Sequence, residues 1–167
     1  MPAPIYGAPA PATAARLGRF HAMARCYLFD LDGTLADCTH RLHHIKQPRK
    51  DWHKFFEECS RDGPIPHMVE LARHLSRVEK LVFVSGRSDQ VKKKTEQWLT
   101  SHGLPAGPLY MRASRDKRAD FIVKAELLDR LMGDGWEPIM AFDDRDQVVK
   151  MWRAKGVPCA QVAEGDF

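Results

Sequence analysis

Apolar residues follow two alternating patterns along the chain from about residue 24 onward. Short continuous apolar runs, each ended by a polar or turn-forming residue, predict buried strands. Stretches with apolar residues three and four positions apart predict helices that pack one face against a core. The runs predict strands at 26–29, 81–84, 109–111, 139–142 and 159–162, and the periodic stretches predict helices at 66–78, 89–102, 117–132 and 147–154.

This alternation of strands and helices predicts an α/β fold. Parallel strands need a crossover connection, usually a helix, so we expect an open parallel sheet with helices on both faces. Ligands of such sheets bind beyond the carboxyl ends of the strands. Three polar clusters directly follow predicted strands: Asp30-Leu31-Asp32, Ser85-Gly86-Arg87 and Asp143-Asp144. We therefore expect these clusters to meet in one site.

Composition indicates one globular domain after a distinct tail. The chain has 167 residues, of which 44% are hydrophobic and 29% are charged. This composition is typical of folded globular proteins and unlike that of disordered ones. No apolar run approaches the roughly 20 residues of a membrane span, so no membrane association is expected. Residues 1–22 are rich in proline and alanine and lack acidic residues, so we expect a disordered extension there and the folded domain at 23–167. The net charge of +4 permits an anionic partner without requiring one.

Four carboxylates are expected to converge at the site. Asp30, Asp32, Asp143 and Asp144 would repel one another unless a cation neutralised them. Oxygen ligands select a hard cation, and Mg²⁺ is the usual choice where phosphate is also bound. Turn formation or helix capping would explain either pair alone, but it does not explain why both pairs follow buried strands.

The motif D-L-D-G-T-L at 30–35, followed in order by S-G-R, a lysine and D-D, resembles the haloacid dehalogenase-like (HAD) phosphohydrolase superfamily. The resemblance implies a Rossmann-like HAD fold with a small cap insertion at about 36–65. It also implies that Asp30 attacks phosphorus and forms an aspartyl phosphate, while Asp32 protonates the leaving oxygen and then activates water.

The same resemblance implies a metal and a phosphate site. Mg²⁺ would contact Asp30, the Asp143-Asp144 pair and the backbone carbonyl of Asp32. The Ser85-Gly86 turn and Lys124 would bind phosphate oxygens. Three other cations precede Lys124, but only Lys124 lies four residues after Asp120. That spacing puts both side chains on one helix face, where Asp120 could hold the ammonium in place.

Residues 24–167 resemble more closely the 3'-phosphatase domain of phage-type polynucleotide kinase-phosphatases. In that family an arginine nine residues after the second motif aspartate is functional, as is the arginine of S-G-R; these match Arg41 and Arg87. The Asp120–Lys124 pair also matches. No G-x-x-x-x-G-K-[ST] phosphate-binding loop occurs in this sequence, so 5'-kinase activity is not expected and a kinase or ligase would be a separate partner. A cytoplasmic protein of bacterial or phage type is expected.

The segment 38–54 is basic and contains Trp52. Basic residues with an interleaved aromatic suit a phosphate backbone and a stacked base. The alternative is a solvated loop whose aromatic residues anchor it to the core, and the sequence leaves both interpretations open. A second basic cluster could also follow a nucleic-acid backbone: Arg112, Arg115, Lys117 and Arg118.

These observations predict a Mg²⁺-dependent polynucleotide 3'-phosphatase that acts on DNA or RNA ends during repair. The first alternative is a 5'- or 3'-mononucleotide phosphatase of the same superfamily. The second is a non-catalytic module that binds nucleic-acid ends.

Overall fold

The computed structural model describes residues 23–165, so the predicted tail at 1–22 lies outside the described residues. The strands are β1 (Ala24–Phe29), β2 (Ala36–Asp37), β3 (Gly63–Pro64), β4 (Lys80–Ser88), β5 (Leu109–Arg112), β6 (Trp136–Asp143) and β7 (Cys159–Gln161). The helices are α1 (His43–Lys46), α2 (Trp52–Glu57), α3 (Pro66–Leu75), α4 (Lys92–Ser101), α5 (Asp120–Gly133) and α6 (Asp146–Ala154).

Five strands form one parallel sheet in the order β5-β4-β1-β6-β7. The predicted α/β fold with an open parallel sheet is therefore confirmed. β1 occupies the centre, so its carboxyl end lies between those of β4 and β6. β6 begins earlier than predicted, and its register with β1 shifts after Cys26 and Pro138. Proline has no amide hydrogen to donate to the ladder, so an irregularity at this position is expected.

Both faces of the sheet are buried. Cys26 and Leu28 of β1 pack in a core with α5 and α6, which includes Leu128 and Trp152. Phe29, on the opposite face of β1, packs in a second core with α3 and α4. Because successive side chains of a strand point to opposite faces, the continuous apolar run of β1 supplies both cores.

Three helices begin or end three residues away from the predicted positions. α4 starts at Lys92 rather than 89, because Asp89–Val91 form a 3₁₀ turn. α3 starts at Pro66, which suits the first turn of a helix, but it ends at Leu75 rather than 78. α5 starts at Asp120 rather than 117. The residues before it form a turn in which Arg115 has a φ of 70°, a left-handed conformation that a right-handed helix cannot contain.

A short antiparallel pair, β2 with β3, encloses residues 38–62. We call these residues the cap segment; they hold α1, α2 and two short 3₁₀ turns. Cys59 of the cap segment packs against Val91 and Met111, near the carboxyl ends of β4 and β5. The segment therefore lies beside the sheet edge where the polar clusters were expected.

No helix among residues 23–165 has the length and apolarity to cross a bilayer.

The core packing of α5 gives a direct test of the fold. Leu128 is 1% exposed, whereas Met132 on the same helix is 44% exposed. Leu128→Ala is expected to lower the free energy of unfolding by roughly 3 kcal/mol, because it removes buried methyl groups and leaves a cavity. Met132→Ala should cost under about 0.5 kcal/mol. Urea unfolding followed by circular dichroism measures both, and equal losses would contradict this packing.

Candidate active site

The first aspartate cluster sits in a tight turn at the end of β1. The amide of Asp30 donates to the carbonyl of Phe142 on the neighbouring strand at 3.0 Å. The amides of Leu35 and Ala36 both donate to the carbonyl of Leu31, at 2.9 and 2.8 Å. These bonds fold the chain back on itself directly after β1. They hold the carboxylates at the carboxyl edge of the sheet.

Lys124 links the ends of two strands. Its Nζ donates to Asp30 Oδ1 at 2.6 Å and to Asp143 Oδ2 at 2.8 Å, and its side chain is buried. Asp120 Oδ2 lies farther from the same ammonium, at 3.7 Å. The carboxylate of Asp120 makes its shorter contact with Arg112 Nη2, at 2.9 Å. The predicted Asp120–Lys124 proximity is present, but Asp30 and Asp143 hold the ammonium more closely.

Three carboxylates form a cluster suited to a metal ion. One oxygen each of Asp30, Asp143 and Asp144 lie within 4.8 Å of one another. Asp143 accepts hydrogen bonds at both oxygens, from Lys124 and Trp152 Nε1 at Oδ2 and from the Arg145 amide at Oδ1. Both oxygens of Asp144 are buried and accept no hydrogen bond from a described residue. Asp144 therefore has the unpartnered oxygens that a cation would occupy.

The charge balance of this cluster favours a divalent cation. When all three carboxylates are ionised, Lys124 supplies one positive charge against three negative ones, so two negative charges are left. Burial, and then the nearby charge of Asp143, raise the pKa of Asp144 to about 6. Burial also raises the pKa of Asp30 well above its usual range, although Lys124 opposes this shift. A hard cation bound by these oxygens would restore the ionised forms.

Two glycines make room for carboxylates at the site. Gly33 has a φ of 87°, and a side chain there would collide with the carboxylate of Asp144. A side chain at Gly86 would collide with the carboxylate of Asp120. The glycines of the D-L-D-G and S-G-R motifs therefore permit close approach of the chain to acidic groups.

Asp32 belongs to a second, adjacent cluster. Its Oδ1 accepts from Arg41 Nη2 at 2.6 Å and from Arg87 Nε at 2.7 Å. Burial alone would raise the pKa of Asp32, but the two guanidinium groups outweigh it and lower the pKa to about 2. Asp32 is therefore held as a carboxylate in the free protein.

Asp62 completes this second cluster, and sequence reasoning missed it. Its buried carboxylate accepts from Arg41 Nε at 2.7 Å and Nη2 at 2.6 Å, and from Arg87 Nη2 at 2.7 Å. His40 Nε2 also lies 2.9 Å from Asp62 Oδ1. In the sequence Asp62 looks like a turn residue before glycine and proline. The only available signal was that two arginines brought to one site need carboxylate partners if they are buried.

Arg41 and Arg87 are fully buried and satisfied by protein groups. Arg41 Nη1 donates to the carbonyl of Phe55 at 3.1 Å, and its guanidinium carbon lies 4.2 Å from the centre of the Phe55 ring. Arg87 Nη1 lies 3.4 Å from Thr95 Oγ1. Both guanidinium groups donate hydrogen bonds to Asp32. That either of them contacts a substrate phosphate stays a prediction.

Of the remaining predicted residues, Gly86 and Trp52 line the cleft at the site, whereas Ser85 is not among the lining residues. Ser85 is buried, and its Oγ accepts from the amide of Arg87 at 3.2 Å. A cleft of about 890 Å³ has Asp30 and Asp32 among its lining residues, together with Gly86 and Trp52. Trp52 is 44% exposed and stacks on Phe56 at 5.8 Å between ring centres. The structure thus places Trp52 on the wall of the cleft that leads to the carboxylates.

The Asp62 cluster predicts a large stability effect. Asp62→Asn leaves two buried guanidinium groups short of negative charge, so we expect the free energy of unfolding to fall by about 3 kcal/mol or more. Asp129→Asn is the matched control, because Asp129 pairs with Lys155 at 3.0 Å on the surface. That change should cost less than about 1 kcal/mol. Chemical denaturation that gave equal losses would contradict the proposed importance of Asp62.

Comparisons with known proteins agree with this geometry. The family described as "Polynucleotide kinase PNKP phosphatase domain" matches residues 24–167. A curated viral relative is the "Putative bifunctional polynucleotide kinase/RNA ligase" of Autographa californica nuclear polyhedrosis virus. It is 28% identical over 137 residues, which are 80% of this chain and 18% of that protein.

Solved structures show the same fold. A chain of the "Pnkp1/Rnl/Hen1 RNA repair complex" is 26% identical, with a TM-score of 0.73, over 95% of this chain and 48% of that chain. A chain of a second Pnkp1/Rnl/Hen1 complex is 28% identical, with a TM-score of 0.74, over 87% of this chain and 47% of that chain. A class C acid phosphatase from Bacillus anthracis shares the fold at 15% identity, with a TM-score of 0.62, over 86% of this chain and 68% of that chain.

The chain thus spans about half of the two solved repair-complex chains and a smaller part of the viral protein. The family match covers nearly all of the described residues, and the sheet, the motif order and the carboxylate cluster agree with it. The protein therefore belongs to the family of polynucleotide kinase PNKP phosphatase domains, which are phosphatases of the HAD type.

Proposed function

We propose that the protein is a Mg²⁺-dependent polynucleotide 3'-phosphatase that acts through an aspartyl-phosphate intermediate. One observation carries the proposal: the Asp30 carboxylate, bound by Lys124, lies at an open cleft lined by basic and aromatic side chains. The family match and the relatives described as polynucleotide kinase/RNA ligase and RNA repair complex support nucleic-acid ends as substrates.

Asp30 is the proposed nucleophile. Lys124 donates to Oδ1, whereas Oδ2 accepts no hydrogen bond from a described residue and is available for attack. Attack forms the Oδ2–phosphorus bond and breaks the bond from phosphorus to the substrate's 3'-oxygen. Lys124 would stabilise negative charge on the transferring phosphoryl group, as a fixed cation does in phosphoryl transfer.

Asp32 is the proposed proton carrier. The leaving 3'-oxygen takes a proton from Asp32, and in the second step Asp32 accepts a proton from the water that attacks phosphorus. Water then adds to phosphorus, inorganic phosphate leaves, and the Asp30 carboxylate is regenerated. In the free protein Arg41 and Arg87 keep Asp32 ionised. A bound phosphate dianion would raise the pKa of Asp32, since a nearby negative charge favours the protonated form that the first step needs.

Asp30, Asp144 and Asp143 are the proposed side-chain ligands of Mg²⁺, with the backbone carbonyl of Asp32 as a further oxygen. Their oxygen-only donor set and the unpartnered oxygens of Asp144 support this assignment. When bound, the metal would neutralise charge on the phosphate and on the clustered carboxylates. Asp144 is the member of the pair whose carboxylate is free to bind it.

We propose that the substrate is the end of a nucleic-acid strand. The cap segment is short, and the cleft of about 890 Å³ beside it is lined in part by its side chains. The relatives described for RNA repair make RNA the substrate to test first, with DNA beside it. Because the viral relative is described as a polynucleotide kinase/RNA ligase and a solved relative belongs to an RNA repair complex, we propose that a kinase or ligase acts with this phosphatase in end repair. A cytoplasmic location stays a prediction.

Substrate choice tests the proposal. Phosphate release is measured with 3'-phosphorylated RNA and DNA oligonucleotides beside 3'- and 5'-mononucleotides. We expect faster release from the oligonucleotides, and Asp30→Asn should reduce it about a thousandfold or more because the nucleophile is lost. Asp129→Asn is the surface control and should retain full activity. Release from mononucleotides alone would overturn polynucleotide specificity, and unchanged release by Asp30→Asn would overturn the mechanism.

Metal removal tests the cofactor. Chelation with EDTA is expected to abolish phosphate release, and added Mg²⁺ should restore it. Asp144→Asn should raise the Mg²⁺ concentration needed for half-maximal activity by at least about tenfold, because a ligand charge is removed. Activity that persists in EDTA, or an unchanged Mg²⁺ requirement in Asp144→Asn, would contradict the assignment.

A further inference from the structure

Six of the basic residues that line the cleft fall into two groups that the sequence could not separate. Arg112 donates to the carbonyl of Gly86 at 2.8 Å and to Asp120 at 2.9 Å. Arg118 is paired with Asp116 at 2.7 Å and with Glu126 at 2.6 Å. These guanidinium groups are used to hold the loop between β5 and α5, residues 113–119, which we call the β5–α5 loop.

Four other cations at the cleft have no such partner. Four exposed side chains line the cleft and form no ion pair with a described residue: Lys46, Lys50, Arg115 and Lys117. Lys46 and Lys50 come from the cap segment, whereas Arg115 and Lys117 come from the β5–α5 loop. Two separate parts of the fold therefore bring unpaired positive charge to one cleft, which favours a polyanion between them.

The backbone conformation of Arg115 also sets it apart from the arginines that hold the β5–α5 loop. Arg115 is the only non-glycine residue with positive φ among residues 23–165, at 70°. A left-handed conformation costs a side-chain-bearing residue roughly 1–2 kcal/mol, and glycine would avoid that cost. The turn therefore carries a strained arginine at a position that glycine would suit. A requirement for the guanidinium in the cleft explains this choice.

The cap segment also offers an aromatic surface to the cleft. Trp52 is 44% exposed, and its ring packs against Phe55 and Phe56 at 5.7 and 5.8 Å between centres. The ring is thus supported from within the cap segment while part of it faces the cleft. An exposed aromatic ring next to lysines suits an unpaired base whose backbone runs past the cations.

We infer that the β5–α5 loop and the cap segment form a subsite for the nucleotides that precede the 3' end of a single strand. Arg115 and Lys117 bind the first internucleotide phosphodiesters, and Trp52 stacks a base. The inference rests on the proposed function and extends it. The enzyme would recognise a strand of two or three nucleotides with a 3'-phosphate better than a 3'-mononucleotide, which has no phosphodiester to occupy the subsite.

Substrate length and salt dependence test this subsite. For the unchanged protein we expect kcat/KM to rise at least about tenfold from a 3'-mononucleotide to a 3'-phosphorylated trinucleotide. Arg115→Gln/Lys117→Gln should remove most of that rise. It should also reduce the slope of log kcat/KM against log salt by about 1.4 for a longer oligonucleotide, since each phosphate contact contributes about 0.7 on a single strand.

Two further variants separate binding from folding. Arg25→Gln/Lys80→Gln removes the same charges at exposed positions near the amino ends of β1 and β4, at the opposite edge of the sheet, and should change neither the length dependence nor the salt slope. Arg115→Gly relieves the positive-φ strain, so its thermal midpoint should be unchanged or raised while the preference for longer strands falls.

The outcomes also distinguish this inference from the proposed phosphatase activity. Equal kcat/KM at all lengths, or an unaltered length dependence in Arg115→Gln/Lys117→Gln, would overturn the subsite and leave the phosphatase standing. If no 3'-phosphorylated substrate is hydrolysed, the proposed function fails. Fluorescence anisotropy with 5'-labelled 3'-hydroxyl RNA of one to six nucleotides then decides the subsite: weaker binding by the double variant supports it, and equal binding overturns it.

Discussion

The buried ammonium of Lys124, between the carboxylates of Asp30 and Asp143, is the contact on which the site depends. It joins α5 to the carboxyl ends of β1 and β6, and it partly neutralises a group of carboxylates that would otherwise repel one another. One ammonium does not balance three carboxylates. The cluster is therefore short of positive charge when its carboxylates are ionised, and the buried oxygens of Asp144 have no hydrogen-bond partner among the described residues.

A second ionic cluster lies beside the first and lowers the pKa of Asp32. Asp62 binds Arg41 and Arg87, and those two guanidinium groups in turn bind Asp32. The first cluster is short of positive charge, whereas the second pairs two arginines with two aspartates. This difference explains why the two aspartates of one motif have opposite pKa shifts, upward for Asp30 and downward for Asp32. The proposed nucleophile and the proposed proton carrier therefore differ in their charged partners, although only one residue separates them in the chain.

Much of this arrangement could be predicted from the sequence because strand ends of a parallel sheet converge. The apolar runs located β1, β4 and β6, and the aspartates that follow β1 and β6 were expected at one edge. Lys124 was selected by its helical spacing from Asp120. Its contacts with Asp30 and Asp143 depend on how α5 packs on the sheet, which local periodicity does not describe.

The rest depends on tertiary partners that local patterns do not show. Asp62 precedes Gly63 and Pro64, so it has the pattern of an ordinary turn. The ion pairs that separate Arg112 and Arg118 from Arg115 and Lys117 are likewise invisible in a run of basic residues. The later start of α5 has the same origin, because the turn before it is stabilised by such contacts.

The proposed mechanism requires Asp30 to form the bond to phosphorus. Its most direct test is acid quenching of the protein during turnover of an oligonucleotide whose 3'-phosphate is labelled, followed by peptide mapping. We expect label on the peptide that contains Asp30, and hydroxylamine should release it, as it does from an acyl phosphate. Steady hydrolysis with no label on the protein, or with label on another residue, would contradict it.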